Sequence, residues 1–147
     1  MKFKTLSLLT MLACATSTFA AEQLNYQILV DKGNKAGEQL VTIGDNGDIK
    51  VRYIFKDNGR GPELDEVIKL NAAGLISDYQ AKGNTTFGSV INEQFKLDGT
   101  QASWSTGKEQ HQANTDGKAM YLPVDGSPFL ASLAISAMAK NKTNSLP

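Results

Sequence analysis

Cysteine and histidine are almost absent: one of each occurs in 147 residues, Cys14 and His111. Thiol catalysis and disulfide stapling are excluded after residue 20, because no cysteine lies there. A metal centre is disfavoured too, since such centres draw three or four ligands mainly from His, Cys and carboxylates. Proline is scarce, with four in the chain, and no long apolar run follows residue 20. Positive charge is not clustered either, so nucleic acid and anionic lipid surfaces are poor partners.

The first twenty residues read as an export signal. Lys2 and Lys4 make a short positive region, and residues 6–15 form an apolar stretch too short to cross a bilayer as a helix. Thr18-Phe19-Ala20 places small residues where a signal peptidase reads, so cleavage after Ala20 is expected, with no membrane span left in a periplasmic or secreted product. Two alternatives stand beside this: a retained anchor, and lipidation of Cys14, since Met11-Leu12-Ala13-Cys14 loosely resembles a bacterial lipobox. Loss of the two leader lysines would leave 13 basic against 15 acidic residues.

What remains, residues 21–147, suits a single domain with one core. Its organisation is set by turn signals: Asp31-Lys32-Gly33-Asn34, Asp45-Asn46-Gly47-Asp48, Asn71-Ala72-Ala73-Gly74, Lys82-Gly83-Asn84 and Asp98-Gly99. Between them lie runs of strand length. In residues 49–55 the side chains Ile49, Val51, Tyr53 and Phe55 share one face, opposite Lys50 and Arg52. Residues 24–30 repeat the pattern with Leu24, Tyr26, Ile28 and Val30. Residues 63–70 place Leu64, Ile68 and Leu70 together. Residues 90–97 place Ile91, Phe95 and Leu97 on one face, which Glu93 shares. Residues 75–81 and 101–106 are weaker runs, the latter with Ala102 and Trp104. The fold expected is mainly β: a curved antiparallel meander sheet with one C-terminal helix packed on it. That helix is expected over residues 128–141. Ser127 would be its N-cap, Pro128 its first position, and Phe129, Leu130, Leu133, Ala134 and Met138 its apolar stripe. Leu146-Pro147 reads as chain about to continue in extended form.

No constellation along these strands builds a catalytic or metal site. His111 lies in a polar run with Glu109 two residues away, which reads as a solvated strand or loop face. A serine triad lacks the Gly-x-Ser-x-Gly elbow that would hold its nucleophile. Glu63, Asp65 and Glu66 follow Pro62 without the glycine-centred ligand spacing of a calcium loop, and they read as solvated strand charges that would guard an edge. Three residues remain as candidate partner or ligand contacts. Tyr53 and Trp104 could stack on a ligand, although strand aromatics usually serve the core. Arg60, between Gly59 and Gly61, could present its guanidinium to an anion or a partner surface. The alternative is that the two glycines simply shape a hairpin connection.

Several runs carry a family resemblance: Asn34-Lys35-Ala36-Gly37, Asp48-Ile49-Lys50-Val51 and Phe55-Lys56-Asp57-Asn58-Gly59-Arg60-Gly61-Pro62. It continues through Leu70-Asn71-Ala72-Ala73-Gly74-Leu75, Gly83-Asn84, Asn92-Glu93-Gln94-Phe95, Ala102-Ser103-Trp104 and Met120-Tyr121-Leu122. Together they resemble the β-rich leading region of secreted bacterial amidohydrolases related to imidazolonepropionase. The resemblance implies that such a region precedes a (β/α)₈ barrel, which binds a divalent metal such as zinc and hydrolyses amide or cyclic C–N bonds. Those barrels ligate metal through a His-x-His strand motif, and residues 21–147 contain none. No catalytic, cofactor or metal residue therefore carries over. The chain is expected to be a non-catalytic N-terminal accessory domain, a fragment whose partner is a hydrolase barrel missing from this sequence, and inactive alone. The alternative from a different class is a periplasmic carrier whose curved sheet holds a lipid or other small apolar ligand. A structural or adhesive module is the third option.

Overall fold

Each glycine turn reverses the chain onto its predecessor, so the strands pair strictly in order. In the computed structural model, which describes residues 21–140, one open antiparallel sheet runs β1-β2-β3-β4-β5-β6-β7-β8. The strands are β1 (Glu22–Val30), β2 (Asn34–Ile43), β3 (Ile49–Phe55), β4 (Glu63–Leu70), β5 (Ile76–Asn84), β6 (Val90–Asp98), β7 (Gln101–Thr106) and β8 (Glu109–Asn114), and a helix α1 (Phe129–Lys140) follows. The mainly β meander with a single C-terminal helix is the fold expected from the alternating runs. The leader at residues 1–20, Cys14 within it, and residues 141–147 lie outside the described residues.

One face of the sheet carries the apolar half of each alternation. Val41, Val51, Leu64, Ile68, Tyr79, Ala81, Ile91, Phe95, Leu97 and Ala102 are buried there, and Phe129, Leu130 and Leu133 of α1 pack onto them. A sheet left bare on that face would expose a large apolar surface to water. The chain after β8 crosses it as a strap, residues 115–128, and α1 then runs back toward the β4–β5 turn, where Lys140 Nζ donates to the Ala72 carbonyl at 2.7 Å.

Three local expectations change. Lys82-Gly83-Asn84 is not a turn but the end of β5, paired with Asp65, Leu64 and Glu63 on β4. Gly83 is there because the Glu63 carbonyl approaches it, and the reversal comes at Thr85–Ser89 instead, where the Thr85 hydroxyl accepts from the Phe87 and Ser89 amides. The acidic trio does not guard an edge, since β4 is central. Its members also separate: Glu63 and Asp65 face solvent while Glu66 points into the core. Finally, the Ser127 hydroxyl does not cap α1. It donates to Glu66, and the amide at the helix start is taken by a glutamine from the sheet.

Candidate functional site

The polar groups trapped between sheet and cover are the chemically distinctive part of the interior. Glu66 on β4 and Glu93 on β6 are both cross-strand neighbours of Ala81 on β5, which sets them on one row about 10 Å apart at the usual strand spacing. Glu66 is 1% exposed. Its carboxylate accepts from the Tyr79 hydroxyl at 2.9 Å, from the Ser127 amide at 2.9 Å and from the Ser127 hydroxyl. Glu93 accepts from the Tyr121 hydroxyl. Gln39 of β2 accepts the Phe129 amide at 3.2 Å, satisfying one of the donors that a helix start leaves unpaired. Tyr121 lies flat on Phe95, with ring centroids 4.3 Å apart and planes at 10°. Three sheet residues thus bind the strap and the first turn of α1 at separate points.

Burial favours the neutral forms of Glu93, Tyr79 and Tyr121. Burial pushes Glu93 above the usual carboxylate range, Asp125 and Glu66 push the same way, and the Tyr121 hydrogen bond opposes them. Tyr79 and Tyr121 are both raised well above an ordinary phenol, first by burial and then by the carboxylates they serve. A phenol kept neutral in the fold but free to ionise when unfolded contributes stability below pH ~10 that is lost as pH rises beyond it. Urea unfolding midpoints are therefore expected to fall between about pH 9 and 11, with the last tyrosinate absorbance rising together with loss of tertiary signal. A midpoint constant across that interval would contradict the burial of both hydroxyls.

Glu66 accepts on both oxygens from Tyr79 and Ser127, and Glu93 accepts from Tyr121, so both carboxylates are engaged in holding the cover. The cluster closes the cover over the sheet. Among the described residues no group of three or more His, Cys, Asp or Glu side chains could hold a metal ion.

The three residues singled out as contacts lie apart. Arg60 is at the tip of the β3–β4 hairpin, where Asp57 and Arg60 exchange backbone hydrogen bonds of 2.7 and 3.0 Å. Asn58 and Gly59 between them have φ of +50° and +75°, the signature of a two-residue type I′ turn, so both glycine-shaped geometry and an exposed guanidinium coexist there. Tyr53 is half-buried on the inner face of β3, opposite Gln39 and Leu64, and burial raises its hydroxyl. Trp104 is four strands away on β7, about 19 Å at normal spacing. It stacks on its cross-strand neighbour His111 at 5.5 Å. No shared site brings Arg60, Tyr53 and Trp104 together. On the opposite face, Arg52 bridges Asp65 at 2.7 Å and Glu63 at 3.3 Å, and Lys56 reaches Glu63 at 3.0 Å. The Lys56 ammonium, with help from Arg52, holds the Glu63 carboxyl below its usual range.

Sequence reading missed the Glu66–Ser127 and Gln39–Phe129 pairings, which join residues 61 and 90 positions apart. The available signal was a carboxylate on an otherwise apolar strand face, noticed at Glu93 and overlooked at Glu66. Outside the cover, the polar face of β5–β8 forms an open depression of about 580 Å³, lined by side chains such as Gln80, Gln94, Ser105 and Gln110. No family model, curated protein or solved structure matches this chain.

Proposed function

We propose that this chain is a non-catalytic, exported accessory domain that packs against the barrel of a metal-dependent hydrolase acting on C–N bonds. The resemblance of residues 55–62 and the later runs to amidohydrolase leading regions names that partner. The observation that carries the non-catalytic role is the filled interior: Phe129, Leu130, Leu133 and Tyr121 occupy the space over the sheet, and Glu66 and Glu93 accept hydrogen bonds from Ser127 and Tyr121 of the cover. A carrier would need a void of several hundred Å³ lined with apolar side chains at that place. Leu122, Val124 and Ile135 are exposed on the strap and helix, and contact with a barrel would bury them. The catalytic metal, zinc or a similar divalent ion, would be held by the barrel.

Two measurements test this. The purified chain, given zinc and amide or lactam substrates, is expected to show neither turnover nor stoichiometric metal; finding both would refute the reading. Solvent extraction followed by mass spectrometry is expected to yield no reproducible lipid. A lipid recovered in molar proportion from repeated preparations would transfer the assignment to a carrier.

A further inference from the structure

We infer that the β1 edge is a self-pairing surface: two copies of this chain join β1 to β1, antiparallel, about a two-fold axis at Tyr26. Among the described residues the sheet is open, so β1 is hydrogen-bonded to β2 on one side and has no strand partner on the other. Native edges are ordinarily blunted by lysine, proline or a bulge in the edge strand. β1 has no Lys, Arg or Pro, and its single charge is Glu22 at one end. The register shift at Ile28/Leu29 takes its extra residue, Ala36, from β2, which leaves β1 unbroken. The same strand exposes two large apolar side chains, Tyr26 at 47% and Leu29 at 58%.

The sequence of β1 is complementary to itself when reversed. Tyr26 is the middle of its nine residues, so a dyad there pairs the whole strand. Cross-strand neighbours share a face in an antiparallel pair. On the core side Leu24 meets Ile28 of the second copy and the two Tyr26 rings meet each other. On the polar side Asn25 meets Gln27 of the second copy. Glu22 falls opposite Val30, so no like charges face each other. The result is one continuous sixteen-stranded sheet with both helices on the same side, an isologous contact that closes and cannot propagate. The other edge does not offer this, because all six residues of β8 are exposed and none is a large aliphatic or aromatic hydrophobe.

Sedimentation velocity of the purified chain is expected to give twice the chain mass. Y26K and Y26E place like charges across the dyad and are each expected to sediment at the single-chain mass, with unchanged far-UV circular dichroism. Mixing Y26K with Y26E is expected to restore the double mass, which also proves both folded. H111K, on the β8 edge, is expected to stay dimeric. A Tyr26→Cys variant in a Cys14→Ser background is expected to be joined into a covalent dimer by a short bis-maleimide. A wild-type chain that stays monomeric at about millimolar concentration, a Y26K protein that remains dimeric, or a Tyr26→Cys protein that fails to cross-link overturns the proposal. So does a dimer dissolved by H111K and not by Y26K.

Discussion

Gly83→Ala is expected to be severely damaging for a change that adds a single methyl group. Gly83 has φ +151°, and an added Cβ would sit 1.9 Å from the Glu63 carbonyl oxygen and 2.9 Å from its carbon. Those are backbone atoms of a central strand, held by the Glu63–Asn84 and Leu64–Gly83 pairings, so they cannot swing away as a side chain would. Relief requires parting β5 from β4, the strand that carries Leu64 and Glu66. Backbone strain of this kind combined with lost pairing should cost ~3 kcal/mol or more. Gly88 is the control. It has φ +84° in the Thr85–Ser89 turn with open space around its Cβ position, so alanine there meets only the positive-φ penalty of about 1 kcal/mol. Urea unfolding of both variants separates the effects. Equal losses would show that the close approach of β4 and β5 at Gly83 is not a constraint.

The same glycine marks where sequence reading succeeds and where it stops. Alternation in residues 49–55 and 90–97 is visible because successive strand side chains face opposite ways, and the structure keeps those faces. Asn-Gly and Asp-Gly pairs locate tight turns because they tolerate positive φ, and Asn58-Gly59 does that. Lys82-Gly83-Asn84 has the same composition yet lies in a strand, since glycine serves a close backbone approach as readily as a turn. Only the pairing partner distinguishes the two, and that partner is twenty residues away in sequence. β2 escapes the alternation test because Gly37 and Gln39 occupy inward positions, and β8 escapes it because every residue is exposed. The cover's attachments are illegible for a related reason: a buried carboxylate becomes intelligible only beside the donors that fold back onto it. Of the three candidate contacts, the pattern located Tyr53 and Trp104 on strands but contained nothing about their separation across the sheet.

Glu66→Ala is expected to release the cover. The carboxylate is buried beneath the strap and holds the Tyr79 hydroxyl together with both the amide and hydroxyl of Ser127. Alanine strands three buried donors and leaves a cavity, and breaking one side of such a buried charged network costs ~3–5 kcal/mol. Glu66→Gln should lose less, about 1–2 kcal/mol, because its amide oxygen still accepts and its NH2 can donate to a rotated Ser127 hydroxyl. The loss should be local before it is global. Ser127 lies two residues before the first residue of α1, whose Phe129 amide is then held by Gln39 of the sheet. Amide exchange in residues 127–140 is therefore expected to accelerate in Glu66→Ala more than in β3–β5, where strand pairing persists. Tyr79→Phe supplies the second corner of a cycle. Tyr79 and Glu66 share a hydrogen bond, so the double variant should be less damaged than the sum of the singles by ~1 kcal/mol or more. Strict additivity, or uniform exchange across sheet and helix, would mean that Glu66 merely occupies the core and does not latch the helix to it.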